Sequence, residues 1–153
     1  MIKITNQITI AKPLSEVYAF VSDPTNNAKW NYYVTSVEKV NDVSGVGAEY
    51  LQTRKSDKQK FHLTVYRENE RCVMQTLPRE KPAVRREVNF EGDEKQTIIH
   101  DVIELKVLVP SFLAKLFSGG PRKAVRQNLE KLKELLETGK VTLQDGREIL
   151  LHQ

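Results

Sequence analysis

The chain has 153 residues, which corresponds to one domain of ordinary size and is long enough to bury a core without disulfides. Hydrophobic residues make up 39% of the chain and charged residues 29%, so we expect a modest core with a well-solvated surface, or a core that contains a hollow. The net charge of +4 is weak, and the basic clusters at Arg85 with Arg86 and at 122–126 are not interleaved with aromatic residues, which argues against nucleic-acid binding.

The cysteine content and the ends of the chain predict a cytoplasmic protein. Cys72 is the only cysteine, so an intrachain disulfide is excluded and a reducing compartment suits the chain. The N-terminus lacks the pattern of a signal peptide, and no apolar run approaches the length of about 18 residues that a transmembrane helix needs.

The first thirty residues predict a strand followed by two short helices. Residues 2–11 alternate between apolar and polar side chains, which is the period of a half-buried strand. Pro13 suits the first turn of a helix, and Asp23 with Pro24 ends that helix and begins a second one over 25–30, near Trp30. The apolar face of the first helix consists of Val17, Phe20 and Val21.

The middle of the chain predicts an antiparallel meander. Six strand-like segments follow one another with short turns and no helix between them. The turns include the polar run 55–60 and the segment Glu91–Glu94. The predicted strands are 34–43, 48–54, 61–66, 71–77, 84–90 and 97–109.

After Pro110 the pattern becomes helical. An apolar turn that includes Phe112 and Leu116 precedes Gly119-Gly120, a break that predicts either a lid or a loop that redirects the chain. An amphipathic helix then covers 121–138, and Gly139 ends it.

The tail, residues 140–153, carries Asp145-Gly146 between apolar positions, which is a hairpin signal. An isolated hairpin is marginal in water, so we expect the tail to dock on a partner surface or to be disordered, with partial order favoured.

The predicted fold is therefore α+β, with one long helix against a seven-stranded sheet. A helix is about 10–12 Å wide, whereas seven strands at about 4.8 Å span roughly 30 Å. The sheet must curl around the helix, and a hollow can persist between them.

This order of elements resembles the START-like, or Bet v 1-like (SRPBCC), helix-grip superfamily, and within it the bacterial polyketide cyclase/dehydrase and lipid-transport group. The residues that carry the resemblance are Pro13–Phe20, Asp23-Pro24, Trp30 and Gly45–Gly47. The resemblance covers about 1–139 as one helix-grip domain and leaves 140–153 as a C-terminal extension. It implies a hydrophobic cavity, but its members include ligand carriers, cyclases, hydrolase-like enzymes and binding partners, so the fold does not decide the function.

Two charged residues fall on the predicted inner face of the last two strands. With Glu91–Glu94 as the loop, Arg86 faces Ile99, and Asp101 is its diagonal neighbour. An inward Arg beside an inward Asp would form a polar anchor in an apolar pocket and would suit an amphipathic ligand. The alternatives are an ion pair with a structural role only, or a bulge that turns both side chains into water.

The candidate cavity residues are the inward positions of the strands and helices, together with Trp30, for which simple packing is the alternative. They are Trp30, Phe61, Leu63, Val65, Arg86, Val88, Phe90, Ile99, Asp101, Ile103, Phe112, Leu116 and Leu129.

The sequence carries no recognisable catalytic motif, so whether the protein is an enzyme stays open. His62 and His100 fall on outward positions, no histidine pair has metal-ligand spacing, and nothing singles out Glu49 or Glu104 as an acid or base. We predict no metal and no cofactor.

Three functions follow as hypotheses. The first is binding of an apolar or amphipathic small molecule, such as a lipid or a polyketide-like or isoprenoid-like compound. The second is a cyclase or dehydratase acting on such a ligand, and the third is a protein-interaction module that uses the tail and the basic helix face. A homodimer is compatible with each of them.

Overall fold

A curved antiparallel sheet forms the body of the protein, and the computed structural model describes residues 1–106 and 119–152. The strand order is β1-β7-β6-β5-β4-β3-β2, which confirms the predicted meander and the helix-grip fold. The seven strands are β1 Ile2–Ile10, β2 Val34–Lys39, β3 Glu49–Arg54, β4 Lys58–Arg67, β5 Arg71–Thr76, β6 Ala83–Gly92 and β7 Thr97–Lys106.

Two short helices follow β1, and a long helix covers the concave face of the sheet. Helix α1 spans Leu14–Val21, a 3₁₀ helix spans Pro24–Lys29, and α2 spans Gly119–Thr138. The 3₁₀ helix begins where predicted because the side chain of Asp23 accepts a hydrogen bond from the amide of Thr25 at 3.0 Å. Its first turn also contains Pro24, which has no N–H to satisfy.

Polar side chains of α2 bind the free edge of β1. Edge strands present unpaired backbone groups, and covering them prevents pairing with another chain. The successive contacts are Arg122 Nη2 to Lys3 O at 2.9 Å, Arg126 Nη1 to Gln7 O at 2.9 Å, Lys133 Nζ to Thr9 O, and Ala11 N to Glu137 Oε2 at 2.7 Å.

The tightly packed part of the core lies where α1 meets the sheet, and we call this region the packed end. Tyr18 of α1 stacks edge-on against Phe90 with ring centroids 4.9 Å apart. The C-terminal half of α2 contributes fully buried leucines to the core. Members of this cluster include Ile8, Ile10, Val17, Tyr18, Leu63, Cys72, Val88, Phe90, Ile99, Leu129, Leu132 and Leu136.

The hairpin between β6 and β7 is longer than predicted. Gly92 pairs with Thr97, so the loop is 93–96 rather than Glu91–Glu94, and Arg86 faces Ile103 rather than Ile99. The loop has the predicted length of four residues but lies two residues later, and Asp93 fixes it there because its side chain accepts hydrogen bonds from Lys95 N at 2.8 Å and Gln96 N at 3.1 Å. The predicted and observed registers differ by an even number of residues, so every side chain keeps its predicted face.

Two further corrections concern β4. This strand begins at Lys58, inside the polar run predicted as a turn, and Gln59 is consequently buried. A bulge between Leu63 and Val65 then reverses the alternation. Tyr66 lies on the concave face, with its ring 5.6 Å from that of Tyr18, so its neighbour Val65 lies on the convex face. The prediction that Val65 points into the cavity is therefore wrong.

The predicted break at Gly119-Gly120 is also wrong, because both glycines belong to α2. Pro121 lies in the same turn. The apolar turn predicted just before it, with Phe112 and Leu116, lies outside the described residues.

The tail forms a hairpin that folds back onto its own domain. Strands β8, Lys140–Thr142, and β9, Glu148–Leu150, pair with each other, and Gly146 adopts a φ of 92° in the turn between them. Val141 and Leu143 are buried against Leu135 of α2. The turn lies at Asp145-Gly146, where the sequence signal placed it, and the hairpin packs on its own domain.

Candidate functional site

A cavity of about 730 Å³ lies between the N-terminal half of α2 and the concave face of the sheet. It occupies the end of the sheet opposite α1, and we call this region the hollow end. Its volume falls within the range of about 300–1,000 Å³ typical of small-molecule sites. The described lining residues are Ile4, Asn27, Asn31, Tyr33, Val34, Gln52, Arg54, Ser56, Asp57, Gln59, Phe61, Met74, Gln75, Thr76, Pro82, Val84, Arg86, Ile103, Leu105, Gly120, Pro121, Ala124, Val125 and Asn128.

The apolar wall of the cavity follows from strand register. Ile4 pairs with Ile103, Ile103 with Arg86, and Arg86 with Met74, so these four side chains form one row across the concave face. The next row contains Leu105, Val84, Thr76 and Phe61. Side chains in one row share a face of the sheet, which is why residues far apart in the sequence line the same hollow.

The hollow persists because the covering helix carries small side chains there. The positions of α2 that face the cavity include Gly120, Ala124 and Val125, whereas its C-terminal half carries leucines. The same helix therefore fills one end of the grip and leaves the other open.

Arg86 is the charged group at the inner part of this site. Its Nε donates a hydrogen bond to Asp101 Oδ1 at 2.7 Å, and its guanidinium lies 5.0 Å from the centre of the Trp30 ring. Asp101 pairs with Val88, which is two residues from Arg86 on β6 and on the same face of the sheet. Asp101 is therefore a diagonal neighbour of Arg86, as predicted. The β6–β7 register is continuous, so the alternative in which a bulge turns both residues into water is wrong.

The guanidinium is held from one side and remains accessible from the other. Asp101 is completely buried, whereas the Arg86 side chain is 15% exposed and lines the cavity. Among the described residues, Nε makes the only hydrogen bond of this guanidinium, and Asp101 Oδ2 has no partner. Arg86 can therefore donate from its terminal nitrogens to an acceptor inside the cavity.

Cys72 lies beside this ion pair but is not poised for nucleophilic chemistry. It is completely buried in β5, and burial raises the pKa of its thiol to about 12. The nearby charge of Arg86 lowers this pKa and that of Asp101 raises it, and neither outweighs burial. The thiol is therefore protonated at neutral pH, whereas nucleophilic attack requires the thiolate.

Several polar side chains that were not predicted from the sequence also line the cavity. Gln59 is buried and donates from Nε2 to the carbonyl oxygen of Pro82 at 2.9 Å. Asn27 and Asn128 are also buried, and Asn27 Oδ1 has no hydrogen-bond partner among the described residues. Spacing carried a signal for two of them: Gln59 is two residues before the inward Phe61, and Asn128 is four before the buried Leu132.

A second arginine, Arg54, lines the cavity, but two of its guanidinium nitrogens are held by one carboxylate. Arg54 holds both carboxylate oxygens of Asp57, each at 2.7 Å. The hydrogen bond from Arg54 lowers the pKa of Asp57, so the pair stays charged at neutral pH. Arg86 differs from Arg54 because its single hydrogen bond, through Nε, leaves both of its terminal nitrogens without a partner among the described residues.

The predicted site residues fall into separate regions. Phe61, Arg86 and Ile103 line the cavity, and Trp30 and Asp101 support Arg86 from behind. Phe112 and Leu116 are outside the described residues. Five more of the predicted residues belong to the packed end and do not line the cavity, because α1 and the leucines of α2 fill the space around them. They are Leu63, Val88, Phe90, Ile99 and Leu129.

The acids and histidines considered for catalysis lie on the other side of the sheet. Glu49 pairs with His62, and Glu104 pairs with Arg85, in one row on the convex face. His100 is on the same face, where Nε2 is 3.1 Å from Glu91 Oε1. Within residues 1–106 and 119–152, no group of three His, Cys, Asp or Glu side chains is arranged to hold a metal ion.

A sequence model of a known family matches nearly the whole domain. It is described as "Polyketide cyclase / dehydrase and lipid transport" and covers residues 1–137. The chain belongs to this family. The match stops just before β8, so the C-terminal hairpin lies beyond it. No curated protein sequence matches the chain.

Solved structures share the fold at low sequence identity. A two-domain ARO/CYC protein, BexL, from the BE-7585A biosynthetic pathway has a TM-score of 0.73 at 12% identity, covering 90% of this chain and 47% of its own. A START superfamily protein from Mycobacterium smegmatis gives 0.64 at 16%, covering 88% and 98%. The Aha1 dimer from Colwellia psychrerythraea gives 0.65 at 21%, covering 92% and 100%. These likenesses show the helix-grip fold.

No helix among the described residues combines the length and apolar character needed to cross a bilayer.

Proposed function

We propose that this member of the polyketide cyclase/dehydrase and lipid-transport family binds an amphipathic small molecule in the cavity of the hollow end. The observation that carries the proposal is Arg86, a cation set among apolar side chains with donors directed to the cavity. The apolar wall suits a hydrocarbon or ring system. The guanidinium suits a carboxylate, carbonyl or hydroxyl oxygen at one end of the ligand.

The support behind Arg86 favours this role. Asp101 and Trp30 hold the guanidinium from behind, so it is oriented before any ligand arrives. Orientation in advance reduces the entropy that binding must overcome. Partial neutralisation by Asp101 also favours a ligand with a single oxygen-rich group over a highly charged one.

Two experiments test the binding function. Native mass spectrometry of protein purified from its source should show a co-purifying apolar or amphipathic molecule. In a second assay, dodecanoic acid should displace the fluorescent probe N-phenyl-1-naphthylamine from the wild type. The variant Arg86→Met/Asp101→Asn removes the anchor without leaving a lone buried charge, and it should bind dodecanoic acid about tenfold more weakly.

The matched control for this assay is Arg85→Met. Arg85 is the neighbouring residue, but it lies on the convex face, where it binds Glu87 at 3.1 Å. Its removal should leave the affinity for dodecanoic acid unchanged. Equal affinities in the wild type and the double variant would reject Arg86 as the anchor, and failure of the wild type to bind either molecule would argue against the cavity as a site for such ligands.

A cyclase or dehydratase acting on the same ligand is the second candidate, and family membership is the observation that favours it. The described lining offers Arg86, Gln59, Asn27 and Asn128 to a bound molecule, and the glutamates considered as acids or bases lie on the convex face. Catalysis here would depend on holding a reactive chain in one shape. Incubation of a poly-ketone substrate with the protein should then give a new product in liquid chromatography with mass spectrometry, with the substrate's mass for a cyclisation and with one water less for a dehydration.

The hypothesis of a protein-interaction module has less support, because both surfaces on which it depends make contacts within the domain. The hairpin is bound to its own domain, and three basic side chains of α2 bind β1. A cytoplasmic location and a homodimer remain predictions, the former supported by the buried, unpaired Cys72. Light scattering of the purified protein tests the homodimer.

A further inference from the structure

The C-terminal hairpin, residues 140–150, contacts the segments that form the opening of the cavity. The exposed lining residues include Tyr33 in the segment 31–34, Ser56 in the β3–β4 turn, and Gly120 with Pro121 at the start of α2. We call this opening the mouth. The hairpin lies outside the family match, so nothing in the family description accounts for it.

The first contact is made by Arg147, in the turn before β9. Its Nη2 donates to the carbonyl oxygen of Tyr32 at 3.0 Å and approaches that of Val34 at 3.4 Å. These carbonyls flank Tyr33, the exposed residue of the mouth. One guanidinium therefore fixes the backbone on both sides of Tyr33.

The second contact reaches the β3–β4 turn. Asp145 Oδ2 accepts hydrogen bonds from Lys55 Nζ and from Arg147 Nε, each at 3.0 Å. Lys55 also lies 5.5 Å from the centre of the Tyr32 ring, and its chain neighbours Arg54 and Ser56 line the cavity. Asp145 thus connects two separate segments of the mouth through two cations.

The third contact is to the covering helix. Gln144 Nε2 is 3.5 Å from Asn128 Oδ1, and Asn128 lines the cavity. The hairpin itself is anchored by Val141 and Leu143, which are buried against Leu135. It can therefore serve as a fixed support for the segments it touches.

We propose that the C-terminal hairpin sets the width of the cavity mouth and so controls passage of the ligand to Arg86. The polar group that does this is Arg147, with Asp145 as the link to the β3–β4 turn. Arg147 is a positioning residue, because it acts on the mouth through backbone carbonyls. The consequence for a ligand depends on the binding function proposed above, whereas the effect on the mouth itself does not.

The test compares Arg147→Met with Arg126→Met. Both substitutions remove a guanidinium that binds a backbone carbonyl, but Arg126 binds Gln7 on the β1 edge, away from the mouth. Trp30 is the only tryptophan of the chain and is buried, so its fluorescence reports on access to the site. Quenching by acrylamide measures access without any ligand, and stopped-flow release of N-phenyl-1-naphthylamine measures passage of an apolar probe.

Arg147→Met should increase both the acrylamide quenching constant and the probe dissociation rate, the latter by about fivefold, and Arg126→Met should change neither. The variant Asp145→Asn replaces an exposed turn residue and should shift both readouts in the same direction by less. It also keeps the test decisive if Arg147→Met does not fold.

Loss of thermal stability in Arg147→Met, with quenching and probe release equal to those of Arg126→Met, would overturn the proposal and leave the hairpin a purely stabilising element. If the wild type binds no probe, the proposed binding function fails, and the quenching comparison still decides whether the hairpin controls the mouth.

Discussion

The two ends of the helix grip use the same sheet and the same helix but reach opposite results. At the packed end, α2 presents Leu129, Leu132 and Leu136, and α1 adds Tyr18 to fill the space over the sheet. At the hollow end, α2 presents Gly120, Ala124 and Asn128, and the sheet presents a cation. The size of side chains on one helix therefore decides where the core is solid and where it is open.

This comparison separates stability from binding. Close packing makes core substitutions costly, because the surroundings relax only partly into a new void. A side chain that already borders a cavity has less packing to lose. Variants at the packed end should therefore change the free energy of unfolding, and variants at the hollow end should change mainly the affinity for a ligand.

The largest expected effect comes from the ion pair at the boundary of the two ends. Arg86→Met leaves the completely buried Asp101 without its partner, which should lower the free energy of unfolding by about 3–5 kcal/mol. Adding Asp101→Leu removes the remaining charge and should recover most of that loss. Urea unfolding of both variants tests this, and a single variant as stable as the wild type would show that Asp101 is not held as a buried charge.

A matched pair of leucine substitutions measures the difference between the ends directly. Leu132→Ala, in the packed end, should lower the free energy of unfolding by about 2–5 kcal/mol. Leu105→Ala, at the half-buried wall of the cavity, should lower it by about 1 kcal/mol, because no new void forms. Urea unfolding again supplies the numbers, and equal losses would contradict the distinction.

A smaller effect should follow from the buried glutamine of the hollow end. Gln59→Leu removes the hydrogen bond to Pro82 O and should lower the free energy of unfolding by about 1 kcal/mol. The variant should bind N-phenyl-1-naphthylamine more tightly, since the wall becomes more apolar. Gln7→Leu, at an exposed position of β1 outside the cavity lining, is the control, and tighter binding in that variant instead would place the probe elsewhere.

The smallest effect is a pH dependence of the hairpin. The hydrogen bond from Lys55 lowers the pKa of Asp145 from 3.8 to about 2, with further help from Arg147. A lowered carboxyl pKa stabilises the folded hairpin above its ordinary pKa, and the contribution is lost as the pH falls through about 2. NMR titration of Asp145 should show this pKa, and Lys55→Met should move it upward; an unchanged titration in that variant would contradict the link.

The fold was predictable because its signals are local. The proline and aspartate of the first helices, the alternation of the strands and the leucine stripe of α2 all act over a few residues. The inward pairing of Arg86 with Asp101 was also predictable, because the error in the hairpin register was even and preserved the faces of both strands.

The remaining errors arose where tertiary contacts override local pattern. The bulge before Val65 reverses one strand without a sequence signal such as glycine. The sequence around Gln59 predicts a polar turn, but Gln59 is buried in β4, where its side chain donates a hydrogen bond to the carbonyl oxygen of Pro82. The sequence of the tail predicts an isolated hairpin, but Arg147 and Asp145 form hydrogen bonds with residues more than eighty positions away in the chain. The boundary between cavity and core depends on side-chain volume across elements, which alternation alone does not encode.

The most direct test of ligand binding at the hollow end follows isoleucine methyl groups by NMR during titration with dodecanoic acid. Ile4 and Ile103 line the cavity, whereas Ile8, Ile10 and Ile99 belong to the packed end. We predict saturable shifts at Ile4 and Ile103, with the packed-end isoleucines unchanged, and a concentration of dodecanoic acid at half-saturation that is about tenfold higher in Arg86→Met/Asp101→Asn. Shifts confined to the packed end, or half-saturation at the same concentration in the double variant, would contradict this prediction.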